Sequence, residues 1–85
     1  MDEHYTLWIK TSCPFCIAAR EEVYKRRVNH TINIMDDDHP EKLDELKELW
    51  KHPTVPIVVY RDDVVETFIG GYTDLKKWLD GRKND

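Results

Sequence analysis

Apolar residues alternate at Tyr5, Leu7 and Ile9, with Trp8 facing the other way, so the pattern predicts a short strand that is apolar on both faces. Such a strand belongs in the middle of a sheet covered by helices. Pro14 suits the first position of a helix, and Ser12 or Cys13 before it can cap. The helix is expected to run to about Arg27, with Cys16, Ala19, Val23 and Arg27 along one face. Asn29-His30 reads as a turn. Thr31 to Met35, carrying Ile32 and Ile34, reads as a second strand. The crossover makes these two strands parallel and their connection right-handed.

Pro40 opens a second predicted helix, with Leu43, Leu46, Leu49 and Trp50 as its apolar stripe. Pro53-Thr54-Val55-Pro56 breaks it. Ile57 to Tyr60 is an apolar strand, Arg61-Asp62-Asp63 a hairpin turn, and Val64 to Ile69 the returning strand. Gly70-Gly71 ends that strand. Thr73 or Asp74 is expected to cap a last helix that turns Leu75, Trp78 and Leu79 inward and closes at Gly81, leaving Arg82 to Asp85 as a fraying tail. The order β-α-β-α-β-β-α gives an α/β chain: a four-stranded mixed sheet, helices on both faces, the layout of a minimal thioredoxin fold.

The 85 residues make one domain, 1–85, too small to embed a large cofactor. With 40% hydrophobic and 35% charged residues the chain is globular. Its formal net charge is −4 and no Lys/Arg block stands out, so nucleic acid is not an expected partner. Asp36-Asp37-Asp38 reads as a solvated loop that also caps the next helix. No stretch approaches the roughly 18 apolar residues of a membrane span, and Met1-Asp2-Glu3-His4 has no feature of a signal peptide. A monomer in the cytoplasm, away from membranes, is the expectation.

In a reducing compartment stable disulfides are rare, which gives Cys13-Pro14-Phe15-Cys16 its interest. The attacking species in thiol–disulfide exchange is a thiolate. A helix N-terminus stabilises an anion through unpaired N–H groups and a partial positive charge. Cys13, at that start, is therefore the expected nucleophile, ionising more readily than a free thiol. Cys16 lies one turn on and on the same side, more buried and suited to resolving the mixed disulfide. Lys10 is a candidate positive charge near the thiolate or an anionic substrate. A structural disulfide closing so short a loop would constrain the unfolded chain little. Structural zinc usually takes four ligands, and His4, His30, His39 and His52 have no regular spacing to the cysteines.

Three separated motifs resemble the glutaredoxin family, over about Tyr5 to Leu79. They are Lys10-Thr11-Ser12-Cys13-Pro14-Phe15-Cys16, Thr54-Val55-Pro56 and Gly70-Gly71-Tyr72-Thr73-Asp74-Leu75. The resemblance implies a cis Val55–Pro56 bond facing the dithiol, with Val55 offering its backbone to the cysteine part of glutathione. It further implies that Gly71, Thr73 and Asp74 receive the γ-glutamyl end at a helix N-terminus, and that Lys10 reaches the glycyl carboxylate. Phe15, where the family more often has Tyr, Thr54 and Pro56 complete the implied glutathione site. Tyr72 reads equally as a wall of that groove or as packing under the last helix. Two positions depart from the family: Pro53 stands where a basic residue is common, a place for which Lys51 or His52 could substitute, and Ile57 where a polar one is common.

The expected function is a glutathione-disulfide oxidoreductase acting on protein–glutathione mixed disulfides and protein disulfides, with glutathione as co-substrate and no permanently bound cofactor or metal. Its partners would be glutathione and disulfide or glutathionylated client proteins. The alternative is a glutaredoxin-like carrier reduced by thioredoxin reductase and serving ribonucleotide reductase; Gly70 to Asp74 argues against it. A third reading, a [2Fe–2S] cluster shared by two protomers, is commoner with a monothiol segment than with Cys13 and Cys16 together.

Overall fold

The computed structural model describes residues 3–36 and 40–82. Its elements are β1 (His4–Ile9), α1 (Pro14–Lys25), β2 (His30–Ile34), α2 (Pro40–Leu49), β3 (Ile57–Arg61), β4 (Glu66–Gly70) and α3 (Tyr72–Gly81). The sheet runs β2-β1-β3-β4. β1 pairs parallel with β2 and antiparallel with β3, and β3 pairs antiparallel with β4. This is the thioredoxin-like layout expected from the order of elements.

The two faces of β1 explain the two halves of the core. Tyr5, Leu7 and Ile9 are buried with Cys16, Ala19 and Val23 of α1 and Leu75 and Leu79 of α3. Trp8 points to the opposite face, where Met35, Leu43, Leu46 and Ile57 pack under α2. Arg26 ties α1 to α3: its Nε donates to Glu22 at 2.9 Å and its Nη2 to Asp80 at 2.6 Å.

Both α1 and α2 stop earlier than their apolar spacing suggests, and for the same reason. Arg27 adopts φ 59° and Lys51 φ 54°. Around them the Arg27 and Val28 amides donate to Tyr24 and Val23 carbonyls, and the Lys51 and His52 amides to Glu48 and Lys47 carbonyls. This paired closure uses a left-handed residue just past the helix, usually glycine. Arg27 therefore leaves the helical face predicted for it, and Val28 takes its place against the core. Leu49, at the last helical position, is 66% exposed and does not join the stripe. Trp50 turns back to stack on Phe68, centroids 5.3 Å apart.

Other boundaries move too. His30 already belongs to β2, and Met35 lies beyond it. Asp62 Oδ1 accepts the amides of both Val64 and Val65 at 2.9 Å, so these two valines stay in the turn and β4 starts at Glu66. Gly81 remains helical and Arg82 is the cap. Arg82 is not a loose tail: its Nη2 donates to Glu3 at 3.0 Å, and its guanidinium lies over the rings of Tyr60 and Trp78. The expected capping by Asp37 and Asp38 lies outside the described residues.

Candidate active site

Cys13 is the N-cap of α1, in extended backbone (φ −96°, ψ 117°), followed by Pro14. Its Sγ accepts the Cys16 N–H at 3.3 Å, so the sulfur occupies the place where a helix start favours an anion. Cys13 is half-buried and Cys16 fully buried, both as free thiols. Burial first, and then the hydrogen bond with Cys13, push the Cys16 thiol well above its ordinary pKa. The pair is thus unequal: an accessible sulfur on the helix dipole, and an inner one that holds its proton.

The segment before the dithiol is pinned from across the sheet. The Thr11 amide and hydroxyl donate to the two oxygens of Asp36, at 3.0 and 2.7 Å. These bonds, the backbone one first, hold the Asp36 carboxyl below its usual pKa. Asp36 therefore anchors the active-site loop, a role its place in an acidic run did not suggest. The Lys10 carbonyl accepts the Cys13 N–H at 3.3 Å. Lys10 stands beside the dithiol but does not line the groove described next.

The Val55–Pro56 bond is cis. The Cys13 thiol donates to the Val55 carbonyl oxygen, 3.9 Å from Sγ. From there a shallow groove of about 190 Å3 runs between the loop and the start of α3. Phe15, Thr54, Val55 and Pro56 form one side, and Gly71, Tyr72, Thr73 and Asp74 the other. Residues more than 50 positions apart in the chain thus meet within one recess. Tyr72 does both things considered for it: it packs against the core and faces Phe15, ring centroids 6.3 Å apart.

The cap of α3 is Gly71, not Thr73 or Asp74. Asp74, at the third helical position, reaches back to accept the Gly71 amide at 3.3 Å; glycine has no side chain to reciprocate. Thr73 is left exposed at the groove. Ile57, the apolar departure after the cis-proline, is fully buried beneath α2 and takes no part in the groove. His52 is the additional lining residue. Its Nε2 is 3.4 Å from Thr54 Oγ1 and its ring meets Phe68 edge-on. Its place depends on the left-handed turn at Lys51, which a lysine does not advertise.

A larger hollow of about 770 Å3 lies at the other end of the sheet, bordered by Glu3, Lys25, Arg26 and Arg82. Its charges are already paired, Arg82 with Glu3 and both Lys25 and Arg26 with Glu22, and it holds no thiol. The smaller groove is the one beside the dithiol, through the contact of Cys13 with Val55.

The glutaredoxin family model matches residues 5–65 of the chain. Among solved structures, the chain is similar to glutaredoxin 1 from Francisella tularensis, determined with cacodylate, at 26% identity over 93% of this chain and 94% of that one, with TM-score 0.67. It is similar to the dithiolic glutaredoxin 2-C-Grx1 of Trypanosoma brucei brucei at 26% identity over 91% and 77%, with TM-score 0.72. The glutaredoxin-like NrdH-redoxin of Escherichia coli shares the fold at 15% identity over 96% and 97%, with TM-score 0.66. No curated protein sequence gives a significant match.

Proposed function

The chain belongs to the glutaredoxin family, whose fold and dithiol make it a thiol–disulfide oxidoreductase, and we propose that glutathione is its reductant. The observation that carries this reading is the groove that opens at Val55, whose carbonyl accepts from the Cys13 thiol. It sets the half-buried Cys13 sulfur 3.9 Å from the Val55 carbonyl at one end, with a helix N-terminus on the far side. A cysteinyl peptide lying there would pair its backbone with Val55 and place its sulfur on Cys13. A carboxylate at its end would meet the first turn of α3, where backbone amides and the helix dipole favour an anion.

In the proposed cycle the Cys13 thiolate attacks the glutathione sulfur of a protein–glutathione disulfide. The protein leaves as a thiolate and takes a proton from water. A second glutathione thiolate then attacks the glutathione sulfur joined to Cys13, giving glutathione disulfide and restoring the Cys13 thiolate. For a protein disulfide, Cys13 attacks one client sulfur, Cys16 then closes on Cys13 and releases the reduced client dithiol, and two glutathiones reduce the Cys13–Cys16 bond, leaving as glutathione disulfide. Cys16 must first lose a proton that its burial holds, so the internal route is the slower one. Potentials of this family lie at about −200 to −230 mV, near the glutathione poise, and leave both directions open. Lys10, outside the groove lining, would act on the anionic substrate only through a longer reach of its side chain. We place this activity in the cytoplasm, with the protein as a monomer.

Two variants test the proposal in a coupled glutathione assay. Cys13→Ser abolishes turnover, whereas Cys16→Ser keeps the reduction of protein–glutathione disulfides and loses that of protein disulfides. A fully active Cys13→Ser protein defeats the mechanism. Efficient reduction by thioredoxin reductase, with none by glutathione, defeats the choice of reductant.

A further inference from the structure

β2 is an outer strand of the sheet, and among the described residues no strand pairs with its free side. Its inner side is bonded to β1 through alternate residues. The Asn29 carbonyl accepts the Tyr5 amide at 2.9 Å, and the Met35 amide donates to the Ile9 carbonyl at 2.7 Å. By the alternation of a strand, the amides and carbonyls of His30, Ile32 and Ile34 therefore point outward. Outer strands commonly carry a charge, a proline or a bulge that blocks further pairing. β4, at the opposite edge, has Glu66 and an irregular register against Val58 and Val59. β2, His30-Thr31-Ile32-Asn33-Ile34, has no acid, lysine, arginine or proline, and pairs with β1 residue for residue.

An apolar border runs beside this open edge. Ile32 packs on the core under α1, so Ile34, two residues on, lies on that same face. A hollow of about 600 Å3 between helix and strand is lined by Arg20, Glu21, Tyr24, Lys25, His30 and Ile32. Ile17 continues the helix row of Arg20, Glu21 and Tyr24 one turn toward the dithiol. Ile17 and Ile34 are each 47% exposed and Tyr24 76%.

The border is its own complement. A two-fold axis through Ile32 sets a second β2 antiparallel to the first, with Ile32 against Ile32, His30 against Ile34 and Thr31 against Asn33. All three outward residues then exchange amide and carbonyl bonds with the copy, whereas an axis through either neighbour of Ile32 pairs only two of them. On α1 the same axis falls between Arg20 and Glu21, which line the hollow together with Ile32. It turns Arg20 of each chain toward Glu21 of the other, and Ile17 toward Tyr24. Apolar groups meet apolar groups and each charge meets its opposite, as a symmetric contact requires.

We propose that this border of β2 and α1 is a self-association surface, on which a second copy of the chain adds its β2 to form one continuous sheet. A seam of one short strand and one helix row falls at the small end of specific interfaces, below about 1,200 Å2 in total. The pair therefore forms as concentration rises, and the dilute chain is the monomer. The glutathione groove lies on the α3 side of the dithiol, away from the seam, so turnover stays a property of each chain.

Sedimentation equilibrium of the reduced full chain, from about 10 μM to 1 mM, spans the range where an interface this small is expected to associate. The apparent mass is expected to climb from one chain toward two. Ile34→Lys, which puts a charge on an exposed part of the seam, is expected to stay a single chain throughout, with Tm unchanged. Arg20→Glu and Glu21→Arg are each expected to weaken association about three- to tenfold, the scale of two exposed ion pairs. The double variant regains it, and an equimolar mixture of the two single variants associates more tightly than either alone. Glutathione turnover per chain is expected to be equal in all of them. A single-chain mass at every concentration overturns the proposal and leaves the border to a client segment. So does a dimer that persists in Ile34→Lys, or a loss in the charge variants that the double variant does not recover. None of these outcomes touches the choice of reductant.

Discussion

At Gly70 the backbone has φ +125°, and a Cβ there would collide with the carboxylate of Asp74. At Gly71, its neighbour, φ is −99° and the nearest atom to an added Cβ is 3.6 Å away, an ordinary contact. The first glycine is therefore demanded by the fold and the second by open space in the groove. Gly70→Ala is expected to destabilise the protein by about 1–3 kcal/mol, through backbone strain and loss of the Asp74 cap, in denaturant melts. Gly71→Ala is expected to melt like wild type yet bind S-methylglutathione more weakly, because its methyl group fills the recess beside His52. Equal losses of stability in the two variants would contradict the distinction. The sequence showed the two as one motif. Only φ and the neighbouring atoms separate them, and neither can be read from residue types.

Helix closure offers the corresponding lesson for elements. Arg27 and Lys51 hold positive φ without being glycine, which costs an L-residue roughly 1–2 kcal/mol. Part of that is offset in a glycine variant by the greater freedom of its unfolded chain. Arg27→Gly is expected to raise stability by about 0.5–1 kcal/mol, seen as several degrees in Tm, because Val28 already holds its core position. An unchanged or lower Tm would show that the Arg27 side chain compensates in a way its exposed position does not suggest. These two residues are also where sequence reading went astray. Apolar periodicity located β1, α1, α2 and the β3–β4 hairpin. It carried α1 and the stripe of α2 too far because arginine and lysine look like helix formers. Asp62 had the same effect at the hairpin, where its side chain captures two amides and shortens β4. The dithiol and the two groove walls were legible because short motifs mark them. Asp36 was not, since its partner Thr11 lies 25 residues away at the end of a neighbouring strand; for His52 the sequence offered Lys51 equally, and only the turn at Lys51 decides between them.

For the molecule as a whole, the carboxylates that join its parts set its response to acid. Burial pushes the Glu22 carboxyl up, but hydrogen bonds from Lys25 and Arg26 outweigh it and hold the pKa below 4.5. The Arg26 hydrogen bond lowers Asp80, the Val65 and Val64 amides lower Asp62, and the Thr11 amide and hydroxyl lower Asp36, each below 3.8. A carboxyl depressed on folding contributes stability above its unfolded pKa, and that contribution is lost as pH falls through the folded value. Tm is therefore expected to hold between about pH 7 and 5 and to drop below about pH 4, with a shallower drop in Glu22→Gln. A Tm that rises in acid would reverse the sign of this linkage.

The Arg82–Glu3 contact has a practical side. β1 runs from His4 toward the dithiol, and α3 runs from the groove back to Arg82, about 15 Å of helix away. The clasp of Arg82 on Glu3 and the rings of Tyr60 and Trp78 therefore gathers both ends of the described fold at the pole farthest from the chemistry. A fluorescent reporter or a surface tether fixed to the fold at that pole would leave the groove facing outward and open to its substrates.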